Sequence, residues 1–350
     1  MTQPLRVGVI GCGIIGKRYV RDSRAFDAWR PVACADLDTA CADAFAAEFG
    51  LRSEPVDGLI ADPEVDLVLN LTPPAAHASL VQAALRAGKH VYTEKPLATT
   101  ADEGRELLAE ARQRGLRLGC APDTFLGSAY ETGRRLIADG TIGTPLGATA
   151  TMLVGGPETW HPNADMFYRR GGGPLLDIAP YYLAALVSLL GRIDAVAGFT
   201  ETPTLQRTLG AGPRAGHVVT VEVPTHAAAI LRLAGGVLAT LTVGFESRNQ
   251  YVSGMRVFGT TGSLTLPDAN AFGGDLLLAT GRSEPEPVPY ESHRDRETRG
   301  LGIQDLAESL FDDRPHRAKG ELALHVLEAA EAIVHAGEEG RVIQLEPNVA

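Results

Sequence analysis

Gly11-Cys12-Gly13-Ile14-Ile15-Gly16 follows directly on the apolar run 5–10 and opens a helical pattern. A strand, a GxGxxG turn and a helix in that order constrain this chain more than any other feature, because each glycine answers a separate demand. Gly11 permits the tight turn, Gly13 lets the backbone approach a pyrophosphate, and Gly16 lets helix and strand pack closely. A pyrophosphate rests on the helix N-terminus, so Ile14 and Ile15 are read with the glycines as cofactor-binding positions. Asp36 ends the second strand, 25 residues after Gly11, where a carboxylate accepts hydrogen bonds from ribose hydroxyls. It repels a 2′-phosphate and Leu37 offers no compensating cation, so NAD is favoured over NADP.

Alternation continues to about residue 120. Strands are predicted at 32–35, 65–70, 90–93 and 116–121, with helices at 14–24, 39–49, 75–87 and 100–114. Gly50, Gly88 and Gly115 stand where helices should stop. Such alternation needs right-handed crossovers and gives a parallel sheet covered by helices on both faces. The pattern then changes. Residues 128–138 read as helix, 146–154 as extended, 155–174 as a Gly/Pro-rich loop and 175–190 as one helix. Strand-like runs follow at 195–200, 218–223, 227–233, 237–243, 255–258 and 263–266, with turns and no helices between them. Residues 280–299 read as a surface loop, 306–311 and 322–335 as helices, and 342–345 as a last strand. The expected fold class is α/β. Residues 1–123 form a doubly wound parallel sheet, and 124–350 an α/β domain with a large open, mostly antiparallel sheet; a length of 350 residues also favours two domains.

Composition removes several classes of function. With 45% hydrophobic and 21% charged residues, the chain has apolar mass for a core, so disorder is excluded as its main state. A net charge of −11 lacks the basic footprint of a nucleic-acid binder and argues against an anionic membrane surface. No run approaches the roughly 18 apolar residues of a membrane span. The N-terminus passes straight into a strand without the layout of a signal peptide. Cys12, Cys34, Cys41 and Cys120 form no CxxC pair and no histidine cluster completes a zinc site, so reduced thiols in a cytoplasmic protein are expected, with no metal.

Two further segments close successive strands: Asn70-Leu71-Thr72-Pro73-Pro74-Ala75-Ala76-His77 and Glu94-Lys95-Pro96. A third, Gly171-Gly172-Gly173-Pro174-Leu175-Leu176-Asp177-Ile178-Ala179-Pro180-Tyr181, opens the predicted helix of the second half. In this order, and with the N-terminal fingerprint, they resemble the Gfo/Idh/MocA oxidoreductase family over almost the whole chain. The resemblance implies an N-terminal Rossmann domain, a C-terminal α/β domain, and an active site between them. It implies Thr72, Pro73, His77, Glu94 and Lys95 as cofactor contacts, with Lys95 also touching substrate.

The residues support chemistry of that kind. Lys95 falls beyond the carboxyl end of a parallel strand, where ligands bind in open sheets. An ammonium there favours an alkoxide as hydride leaves. Asp177 and Tyr181 are four residues apart and share a face if they lie on one helix. The resemblance makes Asp177 a substrate-site residue and puts Tyr181 where the family commonly has a proton-transferring histidine; some branches carry tyrosine there. A free phenol titrates near 10, and a nearby cation such as Lys95 lowers that value. Tyr182 competes for the role, and His161 is the fallback acid or base. Asp177 as a backbone acceptor and Tyr181 as a core aromatic remain the plain alternatives. Trp160 beside His161 suits a sugar, the ring packing on C–H faces and the imidazole bonding a hydroxyl. Asp123, at the end of the last strand of the first half, is grouped with Trp160 and His161 as substrate-binding.

The expected function is hydride transfer between NAD and a CH–OH group of a sugar or cyclic polyol. The alternatives are a trans-dihydrodiol substrate and a dinucleotide-binding regulator without turnover. The expected partners are the small-molecule substrate and further copies of the chain, with no nucleic acid and no membrane. A homodimer or homotetramer follows from the open sheet, whose bare face needs cover.

Overall fold

The computed structural model describes residues 3–247, 251–289 and 298–346. The chain divides into two compact units, 1–126 together with 298–324, and 127–297 together with 325–350.

In the first unit six strands, β1 (Leu5–Ile10), β2 (Trp29–Ala35), β3 (Arg52–Ser53), β4 (Leu67–Asn70), β5 (His90–Thr93) and β6 (Leu118–Cys120), form a parallel sheet in the order β3-β2-β1-β4-β5-β6. Val7, Val9, Leu67, Val68, Leu69 and Val91 are fully buried, which is why these strands read as continuous apolar runs and not as alternations. The connecting helices are α1 (Ile14–Asp22), α2 (Thr39–Phe49), α3 (Val56–Ala61), α4 (His77–Arg86) and α5 (Ala101–Gln113). Their ends follow local chemistry. Asp38 caps α2 by accepting the amides of Ala40 and Cys41, and Thr100 and Glu103 form a reciprocal capping box on α5. Strand β3 and helix α3 escape the sequence reading, because a two-residue exposed strand and a six-residue helix leave no usable period. The order of strands reverses between β1 and β4, so the loops after β1, β4 and β5 emerge side by side at the carboxyl end of the sheet.

The second unit begins with α6 (Ser128–Ala138). Its sheet takes strands β7 (Pro145–Leu153), β8 (Ile193–Glu201), β11 (His226–Leu233), β12 (Leu238–Gly244), β13 (Val252–Gly259), β14 (Gly262–Leu266), β15 (Leu277–Thr280), β16 (Glu286–Pro287) and β17 (Ile343–Gln344), while β9 (Gln206–Thr208) and β10 (Val218–Thr220) make a separate ribbon. The nine strands run β16-β15-β14-β13-β7-β12-β11-β8-β17. Neighbours are antiparallel except β7 and β12, as the run of strands without helices implied. On β11, Ala227, Ala229, Leu231 and Leu233 are buried while Ala228, Ile230 and Arg232 are exposed, the signature of a sheet covered on one face.

Three expectations need correction here. The helix at 175–190 is two helices, α7 (Pro174–Asp177) and α8 (Ala179–Leu190), meeting at Ile178. Pro180 has no N–H to give the carbonyl of Leu176, so the ladder breaks and restarts with the Tyr181 amide on the Ile178 carbonyl at 3.2 Å. The loop at 280–299 contributes β16 to the sheet edge, and its residues 290–297 lie outside the described residues. The helices at the end of the chain are longer than expected: α9 (Leu301–Phe311) starts five residues earlier, and α10 (Gly320–Glu339) extends at both ends.

Candidate active site

The loop between β1 and α1 has the geometry a dinucleotide needs. Gly11 has φ +103°, and a Cβ there would lie 2.7 Å from the Leu71 carbonyl oxygen. A Cβ on Gly16 would lie 2.5 Å from the Gly11 oxygen, whereas a Cβ on Gly13 would enter open space. The first and third glycines are thus required by packing within the unit, and the second presents bare backbone outward. Gly13 also begins α1 without a capping side chain, and Ile14 beside it is 77% exposed. Asp36 turns back onto this loop: Oδ2 accepts the Cys12 amide at 2.8 Å and Oδ1 the Asp38 amide at 3.0 Å. Each carboxylate oxygen retains a lone pair for a ribose hydroxyl. Leu37 is 96% exposed and supplies no cation. These residues fit a bound NAD.

The next two strand ends hold one another. Buried Asn70 donates to Thr93 Oγ1 at 3.2 Å and accepts the hydroxyl of Thr72 at 2.7 Å. Thr72 is half-buried and Pro73 exposed. The side chains of His77 and Glu94, expected against the cofactor, both have protein partners. His77 is fully buried, with Nδ1 2.6 Å from the Pro96 carbonyl and Nε2 2.8 Å from the Thr72 carbonyl, so both ring nitrogens face protein. Burial holds its pKa below the ordinary value. Glu94 is 8% exposed; Oε1 accepts the Tyr19 hydroxyl and Oε2 the Lys95 amide, each at 3.1 Å. Lys95 itself stands half-buried, two residues beyond β5.

Asp123, expected as a substrate contact, is placed away from solvent. It is fully buried, and Oδ2 accepts the Gly302 amide at 2.9 Å, in the first turn of α9. Burial pushes its pKa up. It serves the helix terminus, a use that a strand-end position alone does not reveal.

In the second unit, Asp177 is half-buried at the end of α7 and Tyr181 is 8% exposed near the start of α8. The shared helix face therefore does not hold as argued, since a helix break separates them. Tyr182 is removed from competition: its hydroxyl donates to Asp268 Oδ1 at 2.7 Å in full burial, which drives its phenol pKa far up. Trp160 is 65% exposed and meets His161 edge-on, ring centroids 5.3 Å apart. His161 in turn meets Phe167 at 5.0 Å. The Asn163 amide donates to His161 Nδ1 at 3.1 Å, so the neutral ring carries its proton on Nε2. Burial lowers its pKa, and the charge of Asp177 opposes that. His161 thus offers a donor outward and has no free lone pair with which to take a proton.

One cluster has no signal in the sequence. The Arg207 side chain, 3% exposed, pairs with Glu158 at 3.3 Å and with Glu246. Its guanidinium lies over the Tyr168 ring at 5.6 Å, and the Tyr168 hydroxyl donates to Glu158. Thr225 donates to Glu246 at 2.6 Å. The group fastens the loop carrying Trp160 and His161 to β9 and to the residues after β12. Its bonded pairs lie 10, 21, 39 and 49 residues apart, without a repeated local spacing that could announce them.

Comparison with known proteins agrees with this construction. Residues 5–121 match the oxidoreductase family with an NAD-binding Rossmann fold, and residues 130–265 match the GFO/IDH/MocA C-terminal domain. A dTDP-3,4-didehydro-2,6-dideoxy-alpha-D-glucose 3-reductase of Streptomyces violaceoruber is 36% identical, over 77% of this chain and 74% of that protein. An inositol 2-dehydrogenase of Rhizobium meliloti is 24% identical over 97% of this chain and 99% of its own. Among solved structures, a levoglucosan dehydrogenase in complex with NADH and L-sorbose shares the fold, with a TM-score of 0.85, 22% identity, and coverage of 99% of this chain and 100% of that one. The chain belongs to the Gfo/Idh/MocA family of oxidoreductases, with an NAD-binding Rossmann fold followed by the family's C-terminal domain.

Proposed function

We propose that this oxidoreductase acts on a CH–OH carbon of a sugar or cyclic polyol, preferring NAD to NADP, with residues 1–123 serving the dinucleotide and 124–350 the substrate. The observation that carries the reading is Lys95, half-buried on the turn after β5, at the same end of the sheet as the dinucleotide loop, and held there through its own amide. Bound NAD supplies the two-electron acceptor or donor. Lys95 stabilises negative charge on the substrate oxygen as the carbon changes oxidation state. Tyr181 exchanges the hydroxyl proton and Asp177 orients the neighbouring hydroxyls. His161 contributes an Nε2–H to one hydroxyl and does not act as the base, because its other nitrogen already accepts an amide. Trp160 offers its exposed ring to the C–H face of the substrate.

The test is a spectrophotometric turnover panel with NAD and NADP against free sugars, cyclic polyols, trans-dihydrodiols and a dTDP-linked deoxysugar. The last is included because a 36% identical relative is named for such a substrate. NAD-linked turnover of a sugar or polyol is the expected result. Tight NAD binding with no turnover across the panel would favour a dinucleotide-binding regulator instead.

Self-association as a homodimer or homotetramer belongs to the same reading. Phe199, Ile230, Leu238 and Phe258 support it, since the strand register sets all four on one sheet face and each is exposed.

A further inference from the structure

Three loops meet at the carboxyl end of the parallel sheet, and one buried side chain joins two of them. His77 opens α4, is fully buried, and sets one ring nitrogen against each of two carbonyls. Nδ1 lies 2.6 Å from the oxygen of Pro96, on the turn after β5, and Nε2 lies 2.8 Å from the oxygen of Thr72, on the turn after β4. Both acceptors are carbonyl oxygens, so the two ties exist together only in the imidazolium; burial disfavours that form and the two carbonyls favour it.

The connections run further on both sides. The Thr72 turn carries the dinucleotide loop: a Cβ on Gly11 would lie 2.7 Å from the Leu71 oxygen and 3.2 Å from the Thr72 nitrogen, so the two backbones are in direct contact. On the other side, Lys95 is fixed before and after its own Cα. Its amide donates to Glu94 Oε2, whose carboxylate is braced by the Tyr19 hydroxyl, and the carbonyl of the next residue faces His77. A lysine that acts on developing charge is effective only when it arrives in one place, and a strand-end turn without such ties would sample several.

We propose that His77 is a positioning residue that in its imidazolium form couples the dinucleotide loop to the Lys95 turn, Nε2–H donating on the cofactor side and Nδ1–H on the lysine side. This rests on the roles given above to the dinucleotide loop and Lys95. Side-chain geometry allows the two halves to be separated. The amide nitrogen of asparagine falls near the position of a histidine Nδ1, and that of glutamine near Nε2. His77→Asn keeps the tie to Pro96 alone, and His77→Gln keeps the tie to Thr72 alone.

The experiment measures the NAD Kd by fluorescence titration and kcat on the best substrate of the panel, for both variants and for Lys95→Ala. His77→Asn should weaken NAD by roughly 3- to 10-fold, the worth of one hydrogen bond, with kcat nearly kept. His77→Gln should keep the NAD Kd and lose kcat by a similar factor. Equal losses of both quantities in both variants, or no loss in either, would overturn the proposal. Normal turnover by Lys95→Ala would instead show that the lysine reading had failed, while the NAD arm would still decide the cofactor half of the coupling. A measurement on the unmodified protein guards against variants that do not fold. NAD should shift the nitrogen NMR resonances of the His77 ring, and a ring indifferent to saturating NAD would equally overturn the coupling.

Discussion

Removing the Asp36 carboxylate takes away two things at once, the acceptor proposed for ribose hydroxyls and the bond that holds the Cys12 amide at 2.8 Å. Asp36→Ala should therefore weaken NAD, and it should narrow the margin over NADP because the charge that repels a 2′-phosphate is gone. Competitive titration of the two dinucleotides checks this; equal affinities in the unmodified protein would contradict the role given to Asp36. Lys95→Ala should leave the NAD Kd largely intact and lower kcat by orders of magnitude, since the work proposed for it is done on charge that exists only in the transition state. The adjacent tyrosines should part company. Tyr181→Phe should cost roughly 100-fold in kcat, the usual scale of general acid–base catalysis. Tyr182→Phe should cost little activity but about 1.5–3 kcal/mol of stability, because it removes a buried hydrogen bond to the Asp268 carboxylate. Paired kinetic and denaturant measurements separate the two effects.

Elements in this chain are ended by specific residues, and one such ending sits in the candidate site. Pro180 splits the predicted helix at Ile178, leaving Asp177 on a four-residue helix and Tyr181 on the next. Their relation is fixed by that junction and not by helical period. The loop before it depends on Arg207, buried between Glu158 and Glu246 under the Tyr168 ring. Arg207→Met leaves two carboxylates without their cation in a poorly solvated place. The expected cost is roughly 3–5 kcal/mol, read as a fall in the denaturant midpoint. A change within experimental error would mean that the loop is held by its backbone bonds alone.

For the whole molecule, the face of the nine-stranded sheet that is exposed among the described residues is the feature with consequences beyond the single chain. Phe199, Ile230, Leu238 and Phe258 stand on it, exposed between 39% and 75%. A charge at its middle should oppose burial against another copy while leaving the packed face untouched. Ile230→Arg is expected to lower the solution mass toward that of one chain, measured by light scattering after gel filtration. A monomeric unmodified protein would remove the homodimer or homotetramer from the proposal. Among the described residues no helix is long and apolar enough to cross a membrane.

The sequence by itself determined those features whose physics is local. The GxGxxG turn declared itself because each glycine meets a steric demand within a few residues, and Asp36 because a strand end follows at a set distance. The parallel sheet was legible in its buried apolar runs, and the second sheet in its succession of strand-like runs with no helices between them. Tertiary structure alone decided which polar groups were already committed. His77, Glu94, Asp123 and Tyr182 all looked available, and each is bonded to a residue that chain folding brings from elsewhere: the Thr72 and Pro96 carbonyls, Tyr19, Gly302 and Asp268. A spacing can place a side chain at a strand end or in a helix, but it carries no record of partners up to 179 residues away. The cost of burying an unpaired polar group is what commits them, and that cost exists only once the chain has closed around it.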